Sequence, residues 1–178
     1  MTFDEFVRRF SSEQDCPDYL FELRWGNGFV CPKCGHAEYR VVNRVLCTCK
    51  GCRHQASVLA GTIFQDTRKP LKSWFTAIWW ITTQKYGASA RGLQQILGLK
   101  SYQTAWAWLH KIRTAMVNPN RAKLSGTVEI EHLQAYLDEY VFRFNRRTSA
   151  KRGLLFYRLL ENAVIISPTT YAELVRKT

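Results

Sequence analysis

The spacing of apolar residues predicts helices over most of the chain. Apolar positions recur three or four residues apart, which places them on one face of a helix. Two short helices are expected within residues 1–25, the second with Ser12 as its N-cap, and three more within residues 70–116. The apolar positions that define these faces are Phe3, Phe6, Phe10, Cys16, Leu20, Leu23, Leu71, Trp74, Phe75, Ile78, Ile81, Ala105, Trp108, Leu109, Ile112 and Met116.

Start and stop signals separate the three central helices. Pro70 suits the first turn of a helix that runs up to Gly87. Ser89 can cap a second helix that ends at Gly98, and Ser101 can cap a third, longer one. A helix, a short turn with a glycine and a longer helix form the helix-turn-helix pattern of DNA-binding proteins.

Residues 39–47 alternate between apolar and polar side chains, which predicts a β-hairpin around Asn43 and Arg44. Two C-x2-C pairs flank it, with fourteen residues between the pairs. The four cysteines are Cys31, Cys34, Cys49 and Cys52. This spacing is typical of two knuckles that hold Zn²⁺ between four thiolates, and Gly35 and Gly51 suit knuckle turns that need a positive φ. Because protein fills all four ligand positions, the zinc is expected to be structural.

The remaining cysteines and a nearby histidine fall outside this ligand set. Cys47 could replace Cys49, but only Cys49 keeps the two-residue gap to Cys52. His54 is also placed outside the ligands. Cys16 is expected to be a small buried apolar residue.

The distribution of charge points to a polyanion as partner. The net charge is +12 with a pI of about 9.7, and residues 67–128 contain no Asp or Glu. One-sided charge of this kind repels itself unless nucleic acid neutralises it; the alternative is a solvated basic surface that only aids solubility. The cations of this stretch are Arg68, Lys69, Lys72, Lys85, Arg91, Lys100, Lys111, Arg113, Arg121 and Lys123.

The ribbon carries cations of its own that could touch phosphates. The alternative is a ribbon that stabilises the chain and contacts nothing. These cations are Lys33, Arg40, Arg44, Lys50 and Arg53. The sequence shows neither a secretory signal nor an apolar run long enough to span a membrane, so a cytoplasmic, nucleoid-associated protein is expected.

The third central helix is the predicted DNA reader. With its apolar face in the core, Gln103, Trp106, His110 and Thr114 face outward. Polar and aromatic groups among cations suit a helix in the major groove. Alternatively, Trp106 and His110 pack against the ribbon or a second copy. The predicted DNA contacts are Lys100, Tyr102, Gln103, Trp106, His110, Lys111 and Arg113.

A further amphipathic helix is predicted over residues 132–147. Asp138 and Glu139 are placed on its polar side, where Glu139 and Arg143 would form an ordinary surface pair. Its apolar face is expected to contain Leu133, Tyr136, Leu137, Tyr140, Val141 and Phe144.

Several motifs, taken in order, resemble one family. They are RWGNGFVCPKCG, CKGCRHQASVLAGTIF, KSWFTAIWWI, TAWAWLHKIRTAM and SGTVEI, followed by HLQAYLDEYVFRFNRR, LLFYRLLENAV and PTTYAEL. The chain resembles bacterial insertion-sequence transposases that join an N-terminal zinc ribbon to a DDE, RNase H-like catalytic core. The resemblance covers nearly the whole chain.

The resemblance also implies that a large part of the catalytic core is absent. Such enzymes hold two Mg²⁺ ions with three acidic or equivalent residues. The first position falls on Glu131, where the family has the shorter Asp, and the other two have no counterpart. Roughly a hundred residues, a domain's worth, are missing between Glu131 and His132. Apolar residues that have lost their sheet should then seek each other, a partner or aggregation; they include Leu154, Phe156, Leu159 and Leu160.

The sequence therefore predicts a mainly α protein with a small β zinc ribbon. Its expected parts are N-terminal helices with the ribbon at 1–66, a helix-turn-helix region at 67–120, and a remnant of an RNase H-like α/β core at 121–178. The expected function is binding of double-stranded DNA at the terminal repeats of an insertion sequence, with structural zinc, without the Mg²⁺ of the intact family and without catalysis. A second copy and a full-length transposase are further candidate partners.

Two alternatives stay open at this stage. One is an active Mg²⁺-dependent transposase or nuclease whose site is rebuilt from Glu129, Glu131, Asp138 or Glu139. The other is a small zinc-ribbon regulator that binds DNA for its own purpose.

Overall fold

The structure is a computed structural model that describes residues 2–84, 87–117, 133–144 and 154–176. The predicted strand at 126–131, with Glu129 and Glu131, lies outside these residues. Within them the chain forms α1 (Phe3–Arg9), α2 (Asp15–Trp25), β1 (Tyr39–Asn43), β2 (Leu46–Cys49), β3 (Gln55–Ser57), α3 (Leu71–Thr83), α4 (Ala90–Leu97), α5 (Tyr102–Thr114), α6 (Leu133–Phe144), α7 (Leu154–Ile165) and α8 (Tyr171–Arg176).

The main core joins the two ends of the chain. Rings of Phe6 in α1, Phe10 directly after it, Phe75 in α3 and Phe156 in α7 pack with centroids 4.9 to 6.0 Å apart. Such clusters add directional ring contacts to the burial of apolar area. The apolar residues of α7 that were expected to lack a sheet are therefore covered by the N-terminal helices together with α3. Phe156, Leu159 and Leu160 are buried here, and Leu154 is exposed.

The start of α3 is stabilised by a residue distant in sequence. Pro70 occupies the N-cap, one residue before the predicted first turn, and makes no side-chain cap. The amides of Leu71 and Lys72 donate instead to the carboxylate of Glu13, at 2.7 and 3.4 Å. A carboxylate at a helix N-terminus satisfies free amides and favours the helix dipole. The helix ends at Thr83, short of the predicted end.

Helices α4 and α5 lie where the second and third central helices are predicted, separated by a short turn. The Ser89 hydroxyl accepts a hydrogen bond from the Gly92 amide at 3.0 Å, so this cap is confirmed. Gly98 ends α4 with a φ of 60°, the left-handed conformation that favours glycine. Ser101 stands at the N-cap of α5, but its hydroxyl bonds the side chain of Gln103 and makes no cap, so that prediction was wrong.

The ribbon is a three-stranded antiparallel sheet in the order β1-β2-β3, one strand more than predicted. Asn43 shapes the hairpin turn, because its Oδ1 accepts the amides of Val45 and Leu46 at 3.0 Å each. Arg24 at the end of α2 donates to the carbonyls of Ser57, Val58 and Ala60 at 2.5 to 3.0 Å. These hydrogen bonds from one guanidinium connect the end of α2 to the end of the ribbon.

Candidate metal centre and nucleic-acid interface

The four predicted cysteines meet at one end of the ribbon. The Sγ atoms of Cys31, Cys34, Cys49 and Cys52 all lie within 4.8 Å of one another. Two of the sulfur pairs, Cys31 with Cys52 and Cys34 with Cys49, are 3.6 Å apart. A tetrahedron of thiolates at about 2.3 Å from zinc spaces its sulfurs about 3.8 Å apart. The spacing therefore fits a closed structural zinc site, and among the described residues no other group has this geometry.

The two knuckles share one backbone shape. The amide of Gly35 donates to the carbonyl of Cys31 at 2.9 Å, and the amide of Arg53 donates to that of Cys49 at 3.0 Å. Both donors lie one residue after the second cysteine of their pair, and both have positive φ, 71° for Gly35 and 58° for Arg53. The first knuckle thus has the residue that the turn favours, whereas the second holds an arginine in a conformation unfavourable for L residues.

Gly51 was predicted to be required for a positive φ in the second knuckle, and this reason was wrong. Gly51 is not among the described residues with positive φ. A Cβ at this position would lie 3.1 Å from the ring of His36, so the glycine allows close packing of the two knuckles.

The pKa values of two of these thiols are shifted in opposite directions. Burial raises the pKa of Cys31, but hydrogen bonds from the amides of Lys33 and Cys34 outweigh it and lower the pKa to about 6. The amide of His36 lowers the pKa of Cys34, yet its thiol neighbours, Cys52 first among them, and burial raise it to about 12. A low pKa for one thiol and a high pKa for its neighbour are expected when sulfurs lie this close together and no divalent ion is bound.

The remaining cysteines lie outside the metal centre, as predicted. Cys47 is buried in a small apolar core with Phe29 and Ala56. Burial raises its pKa, so the group stays a thiol. Cys16 is fully buried in the main core, where burial raises its pKa to about 12.

The cations of the ribbon lie at its surface. All five are exposed: Lys33, Arg40, Arg44, Lys50 and Arg53. Lys50 forms an exposed ion pair with Glu38 at 3.2 Å. Contact of this surface with phosphates stays a prediction.

The predicted DNA contacts on α5 fall into three groups of exposure. Exposed are Lys100, Tyr102 and Gln103; half-buried are Trp106 and Lys111; buried are His110 and Arg113. Burial lowers the pKa of Lys111. The outward placement of His110 was therefore wrong, and Arg113, predicted as a DNA contact, is buried as well. The exposed residues cluster at the N-terminal end of the helix.

Arg113 is buried because a carboxylate reaches it. Its Nε lies 2.8 Å from Oε2 of Glu139 in α6, and its Nη2 donates to the carbonyl of Ala88 at 3.0 Å. Glu139 also accepts the Ala88 amide at 3.0 Å and pairs with Arg143 at 2.8 Å. Arg143 donates in turn to the carbonyls of Ile81 and Gln84, beside the end of α3. This group, the arginine–glutamate cluster of Arg113, Glu139 and Arg143, joins α3, α5 and α6.

Helix α6 consequently faces the opposite way from the prediction. Asp138 and Glu139 are buried, and the pair of Glu139 with Arg143, expected at the surface, is enclosed. A buried arginine needs a counter-charge more than tyrosine or valine needs burial, because an unpaired buried charge costs several kcal/mol. The side chains of the expected apolar face that are described are all exposed: Tyr136, Leu137, Tyr140, Val141 and Phe144.

A signal for this cluster was present in the sequence. Arg113 follows buried Leu109 and Ile112 in a stretch with no acid between residues 67 and 128. Any carboxylate partner for it had to come from elsewhere in the chain. The vestigial catalytic candidate, Glu131, lies outside the described residues.

The fold and the cysteine site define a mainly helical protein with a Cys₄ zinc ribbon. Residues 11–55 match the transposase zinc-ribbon domain family. The chain is 31% identical over 131 residues to an uncharacterized protein in transposable element ISH50 of Halobacterium salinarum. The aligned region covers 70% of this chain and 42% of that protein. The chain thus spans about two fifths of the length of this relative. No solved structure matches.

The zinc-ribbon match and the likeness to the ISH50 protein support an insertion-sequence transposase family member, and the four clustered cysteines support structural Zn²⁺. The RNase H-like remnant is not confirmed, since the described residues after 132 form helices. No helix in the described ranges is long and apolar enough to cross a membrane.

Proposed function

We propose that the chain is a transposase-derived protein that binds double-stranded DNA through α4 and α5 and does not cleave it. The observation that carries this proposal is the exposed N-terminal end of α5. Lys100, Tyr102 and Gln103 project from it directly after the turn at Gly98, while the opposite face of α5 is buried in the core. In helix-turn-helix proteins this end of the second helix contacts base edges in the major groove.

The charge around this end supports the same partner. Arg68, Lys69, Arg91 and Lys100 are exposed cations of the stretch that contains no acid. Buried Arg113 is already neutralised by Glu139, so the surface cations are the ones left to pair with phosphates. Binding should therefore weaken steeply with salt, by about 0.9 in log K per phosphate contact for each unit of log salt.

Glu139 does not support a rebuilt catalytic site. Its carboxylate is held between Arg113 and Arg143 and accepts the amide of Ala88. A carboxylate whose charge is compensated in this way is a poor ligand for Mg²⁺, which requires free oxygens in near-octahedral geometry. We therefore propose that the chain has no assembled two-metal centre.

Binding is tested with a labelled duplex that carries the terminal repeat of the element. Lys100→Ala and Gln103→Ala should each weaken binding about five- to tenfold, as measured by fluorescence anisotropy at fixed salt. Arg158→Ala is the matched control, since Arg158 is an exposed cation on α7. Equal losses in the control and in Lys100→Ala would contradict a specific role for α5.

Cleavage is tested by incubating the same duplex with the protein and Mg²⁺ or Mn²⁺. We expect retention of the duplex in a gel without nicking. Metal-dependent nicking that disappears in Glu131→Ala would overturn the proposal and favour an active enzyme.

A further inference from the structure

Side chains on the outward face of α5 become less exposed from its N-terminal end towards its C-terminal end. Another element therefore covers the later turns of this face. Gln103 at the N-terminal end is exposed, Trp106 one turn on is half-buried, and His110 a further turn on is only 6% exposed. The rings of Trp106 and His110 lie 4.2 Å apart. A reading helix that contacts DNA beyond its first turn needs the following turns to be accessible as well.

Helix α8 lies at the covered part of this face. The ring of Tyr171 meets that of Trp106 edge-on, with centroids 6.3 Å apart and planes at 79°. Leu174 is buried to 7% exposure, although its neighbours Ala172, Glu173 and Val175 are exposed. One buried leucine and one ring contact thus mark the side of α8 that meets the body of the protein.

Contacts this small hold a segment only weakly. Burial of one leucine side chain corresponds to about a ten- to hundredfold change in an equilibrium constant. Residues 167–170, which connect α7 to α8, form no helix or strand. The helix also carries its own capping box, because Thr170 and Glu173 exchange hydrogen bonds at 2.8 and 3.3 Å.

We infer that α8 is a displaceable cover on the DNA-reading face of α5, and that full engagement of DNA requires it to move away. The inference rests on the proposed DNA-binding function. Apparent affinity is then reduced by the fraction of molecules in which α8 is docked. Loosening α8 increases affinity without a new contact.

The test compares two variants of the full chain on the terminal-repeat duplex. Leu174→Ser removes the buried anchor and should tighten binding about tenfold. Ala172→Ser, an exposed site on the same helix, should leave affinity unchanged. If the native chain binds and Leu174→Ser binds equally or more weakly, the cover is refuted and the proposed function stands. If neither chain binds the duplex, both proposals fail.

Hydrogen exchange of the native chain gives a second measurement that needs no variant. Amides of residues 171–176 should lose protection when DNA is added, while those of α3 keep it. Protection of α8 that stays equal or increases in the complex would overturn the inference.

Discussion

The metal centre and the arginine–glutamate cluster both bring ionisable groups close together, and they balance the charge from different sources. In the ribbon, four thiols crowd together and the compensating charge is an ion from solution. In the cluster, Glu139 meets Arg113 and Arg143, so the chain supplies both signs. The ribbon's fold therefore depends on metal supply, whereas the cluster depends only on α3, α5 and α6 being in place.

Loss of a zinc ligand should have the largest effect. Cys49→Ser is expected to unfold the ribbon, because binding of structural zinc contributes on the order of 10 kcal/mol to folding of such modules. Zinc content by atomic absorption and circular dichroism measure the loss. A chelator added to the native chain should reproduce it.

Cys47→Ser is the matched control for this variant. It alters a buried thiol two residues away that lies outside the sulfur cluster. The expected cost is about 1–2 kcal/mol with zinc retained. Release of zinc by Cys47→Ser and retention by Cys49→Ser would reverse the ligand assignment.

Neutralising the centre of the arginine–glutamate cluster should have the next largest effect. Glu139→Gln leaves Arg113 buried without a counter-charge and should lower the free energy of unfolding by about 3–5 kcal/mol. Urea denaturation measures it, with zinc present throughout.

Glu161→Gln provides the comparison at the surface. Glu161 pairs with Arg158 at 3.0 Å in an exposed position, where such pairs contribute about 0–1 kcal/mol. Equal costs for the two substitutions would mean that Glu139 is not enclosed as the structure shows.

The smallest expected effects distinguish the two knuckles. Gly35→Ala places a Cβ at a φ of 71° and should destabilise the zinc-loaded ribbon by about 1–2 kcal/mol. Arg53→Gly relieves the same conformation in the second knuckle and should stabilise by less than about 1 kcal/mol, since glycine also costs more entropy on folding. Thermal unfolding of both variants checks the sign. A stabilising Gly35→Ala would contradict the turn assignment.

The two regions also differ in how far sequence predicts them. Metal ligation demands fixed residue types at short spacing, so Cys31, Cys34, Cys49 and Cys52 were found from local pattern alone. The central helices were predictable for the same reason, from periodicity with local signals such as Ser89 and Gly98.

The predictions that failed concern residues whose surroundings are set by contacts with distant parts of the chain. Arg113 and Glu139 are 26 residues apart, and no periodicity within α6 shows that a cation elsewhere turns its acidic face inward. Glu13 lies 58 residues before the amide of Leu71 that it caps. The exposure of His110 was misjudged similarly, because a helical wheel describes one helix and registers no neighbouring element.

The position of Phe156 among Phe6, Phe10 and Phe75 sets an order on biosynthesis. The first helices leave the ribosome long before α7 is made, yet the ring that completes their core belongs to α7. We expect the nascent N-terminal helices to stay incompletely packed until translation has passed residue 165, and to need protection from aggregation for that time.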